Sequence, residues 1–147
     1  KGTASMFTER LKTERNGVVD ITEGVRRAVA SSQVQEGIAV VMVPHTTAAV
    51  TIISFPDPLG LEDVNDEISR LIPTRIDFKH QHDTPQDAAG HVKSVLVGAS
   101  LSLIVSGGDL VLGHSQAIYF FEFDGPRQRQ YNVQVVGLTR FNEVATL

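Results

Sequence analysis

Residues 38–54 read Ile-Ala-Val-Val-Met-Val-Pro-His-Thr-Thr-Ala-Ala-Val-Thr-Ile-Ile-Ser, and the fold follows from how this stretch is read. Ile38 to Val43 is a continuous apolar run rich in β-branched residues. It is too short for an ordinary helix and reads as a buried central strand. Ala48 to Ser54 has the same character and reads as its neighbour. The connection Pro44-His-Thr-Thr47 places a histidine where a buried strand ends, a position held by a rigid scaffold yet open to ligands.

Toward the N-terminus, Ser5 to Lys12 alternates loosely and predicts a first strand with one wet face. Asp20-Ile-Thr-Glu23 has capping-box spacing, so a helix is expected from Ile21 to about Gln35, stopped by Gly37. Toward the C-terminus, Pro56 to Gly60 reads as a turn. Leu61, Val64, Ile68 and Leu71 then mark one apolar face of a helix over Leu61–Ile72 that Pro73 ends. Ile76 to His82 is extended and polar, and Asp87 to Val97 predicts a third helix. Leu101–Val105, Asp109–Leu112, Ala117–Phe123 and Arg129–Val136 read as strands joined by glycine-containing turns, an antiparallel meander. About seven strands and three helices, with the helices set between groups of strands, make an α+β fold built on a sandwich-like mixed or antiparallel sheet. No linker, repeat or biased segment interrupts it, so residues 1–147 are expected to form a single domain.

Composition narrows the chemistry. The chain has 147 residues, no Cys, no Trp and five His, which excludes disulfides, thiolate metal sites and a cysteine nucleophile. A metal would have to use His, Asp or Glu. The formal charge of −4 argues against broad binding to nucleic acid or anionic membrane. No apolar run approaches a membrane span, and Lys1 to Arg10 lacks the apolar core of a signal peptide, so the expected compartment is the cytoplasm.

Four groups of residues could carry chemistry. His45 stands at the strand end, beside Thr46 and Thr47; the alternative is a hydrogen-bonded core or edge histidine. His80 and His82 share one face of an extended chain and could hold a metal or line a solvated edge. Asp87 and His91 are four apart on a helix, so the carboxylate could orient the imidazole or form an ordinary surface pair. Glu122 and Asp124 could meet a hard cation through water while Arg127 and Arg129 hold a phosphate; the alternative is a polar hairpin tip. The segments around Lys93 and Arg127 are polar, so both cations are expected at the surface.

These elements occur in a recognisable order. Pro44-His-Thr-Thr-Ala-Ala-Val-Thr51, Asp57-Pro58 followed by Asp63, His80 ahead of His91-Val-Lys-Ser94, Leu96 to Ser100, Gly113 with Gln116 and Ile118, and Glu122-Phe-Asp-Gly-Pro-Arg127 together resemble the YjbQ family, also called the UPF0047 or secondary thiamine-phosphate synthase family. The resemblance spans essentially the whole chain. It implies a homotrimer of α+β subunits and a pocket near a subunit boundary. It also implies a metal or phosphate site around His45, His80 and His91, and a transferase reaction joining a pyrimidine methyl pyrophosphate to a thiazole phosphate.

In that scheme a divalent ion, Zn or Mg, sits on the three histidines, with Glu122, Asp63 and Lys93 catalytic. Thr46, Thr47, Lys93, Gln116 and Arg127 bind the phosphorylated substrate. All-histidine ligation suits Zn²⁺, whereas Mg²⁺ prefers oxygen. The chain departs from the family pattern at Ile53-Ser-Phe55, in place of Asn-Glu-Asn, and at Gly113-His-Ser-Gln116, in place of Gly-Thr-Trp-Gln. Ala117 also replaces a glycine, and His114 adds an imidazole that could enter the same pocket. The departures keep two alternatives open: metal-dependent hydrolysis, and a non-catalytic trimer that binds a small phosphorylated ligand.

Overall fold

The computed structural model describes residues 1–54, 58–80 and 83–139. Eight strands and three helices follow in the order β1 (Gly2–Lys12), β2 (Val18–Asp20), α1 (Thr22–Ser32), β3 (Glu36–Met42), β4 (Ala48–Ser54), α2 (Pro58–Leu71), α3 (Pro85–Val97), β5 (Ser100–Ser106), β6 (Asp109–Leu110), β7 (Gln116–Glu122) and β8 (Gln128–Leu138). The strands form two antiparallel sheets, one ordered β1-β8-β3-β5-β6 and the other β2-β7-β4. The α+β class and the sandwich-like sheets expected from the sequence are therefore observed, with β2 as the strand the periodicity did not reveal.

The inner faces of the two sheets enclose the main core. Ala39 and Val41 of β3, Val133 and Val135 of β8 and Leu103 and Val105 of β5 meet Ala48 and Val50 of β4 and Ile118 and Phe120 of β7. Helix α1 closes one side with Val25, Ala28 and Val29. The outer face of the smaller sheet carries a second core, Ala49, Ala117, Tyr119, Phe121 and Phe123, covered by Leu61, Val64 and Ile68 of α2. The chain is thus three layers deep, sheet on sheet on helix.

Several expectations are revised. The run Ile38–Val43 is central, between β8 and β5, but it is not buried on both faces: Ile38 is 54% exposed and Met42 46%. β4 is not its neighbour; it pairs with β7 in the other sheet. The chain after residue 100 is not a simple meander either. Only β5 and β6 form a hairpin; β7 crosses to the smaller sheet, and β8 returns to lie between β1 and β3. Sequence proximity cannot distinguish these pairings, because either sheet satisfies the same alternation.

Helix α1 ends at Gln33, which takes the left-handed conformation at φ 62°. Gly37 lies inside β3 instead of stopping the helix. It sits opposite Gly137, and a Cβ on either glycine would collide with the facing backbone; close strand approach, not helix termination, is the reason for that glycine. The capping box is half formed: Asp20 Oδ1 accepts from Thr22 N at 2.9 Å, while Glu23 turns to Arg26. No helix among the described residues is long and apolar enough to cross a membrane.

Lys93 is the main surprise in the core. It is 3% exposed, its Nζ donates to Ser69 Oγ at 3.2 Å and lies 5.8 Å from the centre of the Phe123 ring. The expected surface cation is thus sealed between α2, α3 and β7, and burial pushes its pKa down. Between that lowered value and the ordinary value near ~10.4, the unfolded chain binds more protons than the folded one, so stability rises with pH in this window. Lys93→Met is expected to raise stability at pH 7 by about 1 kcal/mol and to flatten the alkaline rise. Urea denaturation at pH 7 and pH 10 measures both. A destabilised variant with an unchanged alkaline slope would show that the ammonium is better satisfied than its surroundings indicate.

Candidate metal centre

Thr84 begins α3 as its N-cap, accepting the Asp87 N–H on Oγ1 at 3.1 Å, with Pro85 in the first turn. This start fixes Asp87 in the first turn, where the helix dipole favours a carboxylate. Asp87 is 6% exposed and its Oδ2 faces two imidazoles. His91 Nε2 lies 3.1 Å away, one turn along the same helix. His80 Nε2 lies 3.4 Å away, from the segment preceding the helix. The two rings stand edge to face, 4.9 Å between centroids. One ligand atom from each of His80, Asp87 and His91 falls within 4.8 Å of the others.

The 3.1 and 3.4 Å separations from Asp87 Oδ2 fit a first-row divalent ion. Bonds of about 2.0–2.1 Å in tetrahedral geometry put donor atoms roughly 3.3 Å apart. Two imidazoles and a carboxylate leave open positions, the pattern of catalytic rather than closed structural sites. Coordination would replace any N–H donation from the rings to Asp87, since a ligating nitrogen carries no proton.

His45 does not belong to this cluster. Its Nε2 lies 3.0 Å from the Gln130 N–H and 3.1 Å from the Gln130 carbonyl. Desolvation, then the charge of Arg129, lower its pKa against the weaker opposing effects of the Gln130 backbone and Glu122. The Nε2 thus faces the Gln130 backbone, whose N–H and carbonyl both lie within hydrogen-bond reach. His45 nevertheless shares a cleft of about 370 Å³ with His91, lined also by Thr46, Ser94, Val95, Gly98 and Ala99.

Helix α3 reaches this position because Gly90 lets it approach the strand ends. A Cβ at Gly90 would lie 2.9 Å from the Phe123 carbonyl and 3.2 Å from Thr47 Cγ2. Behind that contact is a buried polar clasp. Arg129 Nε donates to Glu122 Oε1 at 2.7 Å and Nη2 to Glu122 Oε2 at 2.5 Å. Nη2 also reaches Thr47 Oγ1 at 2.7 Å. Thr13 Oγ1 donates to Glu122 at 2.5 Å, and the Asp124 N–H donates to its other oxygen at 3.1 Å. Burial alone would push the Glu122 carboxyl up; the hydrogen bonds from Arg129 and Thr13, the Arg129 charge and the Asp124 amide outweigh it and hold the pKa below the usual value.

The remaining candidates divide accordingly. Glu122, expected as a general base, has both oxygens committed to the clasp and is 1% exposed. Thr47, expected to bind substrate, is 4% exposed and serves Arg129, while Thr46 is exposed on the cleft. Lys93 lies in the α2–α3 packing and is absent from the cleft lining. Arg127 is half-exposed and donates to Asp124 Oδ2 from Nε and Nη2 at 3.2 and 2.9 Å, beside a second cleft formed with Lys12, Thr13 and Glu14. Asp63 is on the exposed side of α2, outside the cluster.

Gln116 starts the strand that Glu122 ends, about 20 Å away. It accepts the Gly113 N–H at 2.8 Å. Gln116 and His114 therefore stand at the opposite end of the subunit from His91, and the missing tryptophan at Ser115 is not a wall of this cleft. His82, Phe55 and Asp57 lie outside the described residues. Asp87 is the candidate ligand that the sequence reading undervalued, as an orienting group; the Asp-x-x-x-His spacing behind a Thr-Pro helix start was the available signal.

Comparison with known proteins places the chain. The family described as UPF0047 protein YjbQ-like matches residues 8–138. A UPF0047 protein of Methanocaldococcus jannaschii is 41% identical over 133 residues, covering 90% of this chain and 94% of that protein. The UPF0047 protein YugU of Bacillus subtilis is 38% identical over 127 residues, covering 85% of this chain and 93% of that protein. Among solved structures, a YbjQ-like protein of unknown function from Sulfolobus solfataricus superposes with TM-score 0.88 at 29% identity, covering 93% of this chain and 99% of its own. A YjbQ/UPF0047 protein from Clostridium acetobutylicum gives TM-score 0.81 at 39% identity, covering 88% and 98%.

These relatives overturn the expected thiamine-phosphate synthase reaction. The descriptions of the matching proteins carry no thiamine chemistry, and the Sulfolobus relative is called a protein of unknown function. By match over most of its length and by fold, this chain belongs to the YjbQ-like UPF0047 family.

Proposed function

We propose that this protein binds a divalent transition metal ion at His80, Asp87 and His91 and presents its open coordination positions to a small ligand. The observation that carries the reading is the buried Asp87 carboxylate with an imidazole nitrogen at 3.1 Å and another at 3.4 Å, a donor geometry that matches an ion of this size. Bound there, the ion would act as a Lewis acid toward a ligand oxygen or water. The nitrogen donors favour Zn²⁺ or a neighbouring first-row ion over Mg²⁺. Calorimetric titration of tag-free protein with Zn²⁺ tests this. One site per chain, unaffected by millimolar Mg²⁺, is expected; absence of stoichiometric binding would overturn it.

The homotrimer implied by the family resemblance is also carried as a proposal. It is supported by the outer face of the larger sheet, where Ile38 pairs with Ile104 and Val136 across the strands. Met6 is 61%, Ile38 54%, Ile104 62% and Val136 48% exposed, a contiguous apolar surface suited to burial against further copies. Sedimentation should give the mass of three 16.0 kDa chains, reduced to one chain by Ile38→Asp. A single-chain mass for the wild type at micromolar concentration would refute it.

A further inference from the structure

Residues 58–80, which comprise α2 and the extension after it, include no buried residue. Strand β1 has none either, but its eleven residues are paired to β8 along their whole length, and the 58–80 segment has no such ladder. It rests on the body through the partly buried Leu61, Val64 and Ile68. Asn65 Nδ2 donates to the Asn16 carbonyl at 2.9 Å, and Ser69 Oγ accepts from Lys93 Nζ at 3.2 Å. The ion pairs of Arg70 with Glu67 and of Arg75 with Asp77 stay within the segment. An element with so little buried area opens at a free energy well below that of global unfolding. The Tyr119 hydroxyl under this layer is buried with no hydrogen-bond partner among the described residues, and the Lys93 ammonium is kept from water beside it. Opening relieves both costs.

The segment ends on His80, whose Nε2 lies 3.4 Å from Asp87 Oδ2. Asp87 and His91 belong instead to α3, which is fixed in the body by its buried Ala88, Ala89 and Gly90. The candidate ligands are thus divided between a weakly held segment and a firmly held helix. The extension that carries His80 is folded back on the end of α2: Leu71, Ile72, Pro73, Arg75 and Phe78 line one pocket with Val92 of α3, and the Arg75 guanidinium lies 4.6 Å from the centre of the Phe78 ring. From this division we infer that residues 58–80 are a metal-latched strap: an ion shared by His80 with Asp87 and His91 ties α2 down over Lys93, and without the ion the strap lifts. The inference rests on the metal reading and adds its regulatory consequence. The open form keeps only Asp87 and His91 for the ion, so it binds more weakly than the closed form and binding shifts the population toward closure. When free Zn²⁺ exceeds its Kd about 100-fold, opening becomes rarer by about the same factor, less whatever affinity the open form retains.

Lysine acylation by an N-hydroxysuccinimide acetate at pH 8, followed by peptide mass as initial rates, reads the strap, because Lys93 is 3% exposed and is uncovered when α2 lifts. Exposed Lys12 is the internal control. In metal-free protein Lys93 is expected to react more slowly than Lys12 but well above the rate set by global unfolding. Saturating Zn²⁺, its binding measured by calorimetry on the same sample, is expected to slow Lys93 by at least about tenfold and to leave Lys12 unchanged. His80→Ala alters an exposed position and should fold normally; with zinc added, its Lys93 is expected to react at the metal-free rate. Zinc that binds the wild type without slowing Lys93 overturns the latch and leaves the metal reading standing. Equal slowing in the His80 variant also overturns the latch. Absence of zinc binding overturns both readings, and a metal-free Lys93 that reacts only at the global unfolding rate overturns the strap itself.

Discussion

Asp87→Ala is expected to lower Zn²⁺ affinity by at least about 100-fold while the chain stays folded. Removal of an outer residue that merely orients a ligand costs roughly 10- to 100-fold, and Asp87 is placed as a ligand itself, with its Oδ2 between two imidazole nitrogens. Stability should change little. The Thr84 cap bonds the Asp87 backbone N–H and survives the substitution, leaving the loss of one acidic group in the first turn, about 0.3–1 kcal/mol. His91→Ala should weaken zinc binding comparably. His45→Ala should shift it by less than about threefold, since a histidine held on Gln130 is replaced outside the ligand set. Competition with a chromophoric chelator gives all three affinities. Equal losses in the Asp87 and His45 variants would restore the three-histidine site that the sequence implied.

The second large effect concerns the clasp. Arg129→Ala is expected to destabilise the protein by about 3–5 kcal/mol, because it leaves the Glu122 carboxylate buried without its counter-ion. Arg129→Met combined with Glu122→Leu should lose much less than either single change, since removing both charges also removes both desolvation penalties. A surface general base would behave differently, costing no more than about 0.5 kcal/mol when replaced. The lowered Glu122 pKa sets the pH dependence. Its contribution is complete above the ordinary carboxylate value near ~4.3 and is lost as pH falls through the lower folded value. Urea unfolding of these variants at pH 7, and of the wild type from pH 7 to pH 3, measures both effects. An Arg129→Ala variant as stable as the wild type would return Glu122 to the list of candidate bases.

Local pattern made much of the fold legible. The apolar runs of β3 and β4, the spaced leucine, valine and isoleucine of α2 and the Thr-Pro start of α3 each state their element within a few residues. Strand partnership was not legible, because β4 and β3 carry the same alternation yet enter different sheets. Gly37 shows the same gap. It reads locally as a helix stop, and only the register that sets it opposite Gly137 explains it. At the site, the spacing of Asp87 and His91 placed two of the proposed ligands on one helical turn, and the sequence carried His80 as well. Burial separated the rest: Lys93, Glu122, Thr47 and Arg129 sit in polar or mixed segments, yet each is under one-tenth exposed. Composition alone marks such residues as surface groups, and only long-range packing turns them into internal ones.

The most direct test of the metal centre is an anomalous difference map, recorded at the zinc edge, from a crystal of the protein soaked in one equivalent of Zn²⁺. One peak per chain is expected, about 2.0–2.2 Å from Nε2 of His80, Nε2 of His91 and Oδ2 of Asp87. A peak centred on other residues, or no peak at equimolar zinc, would contradict the assignment.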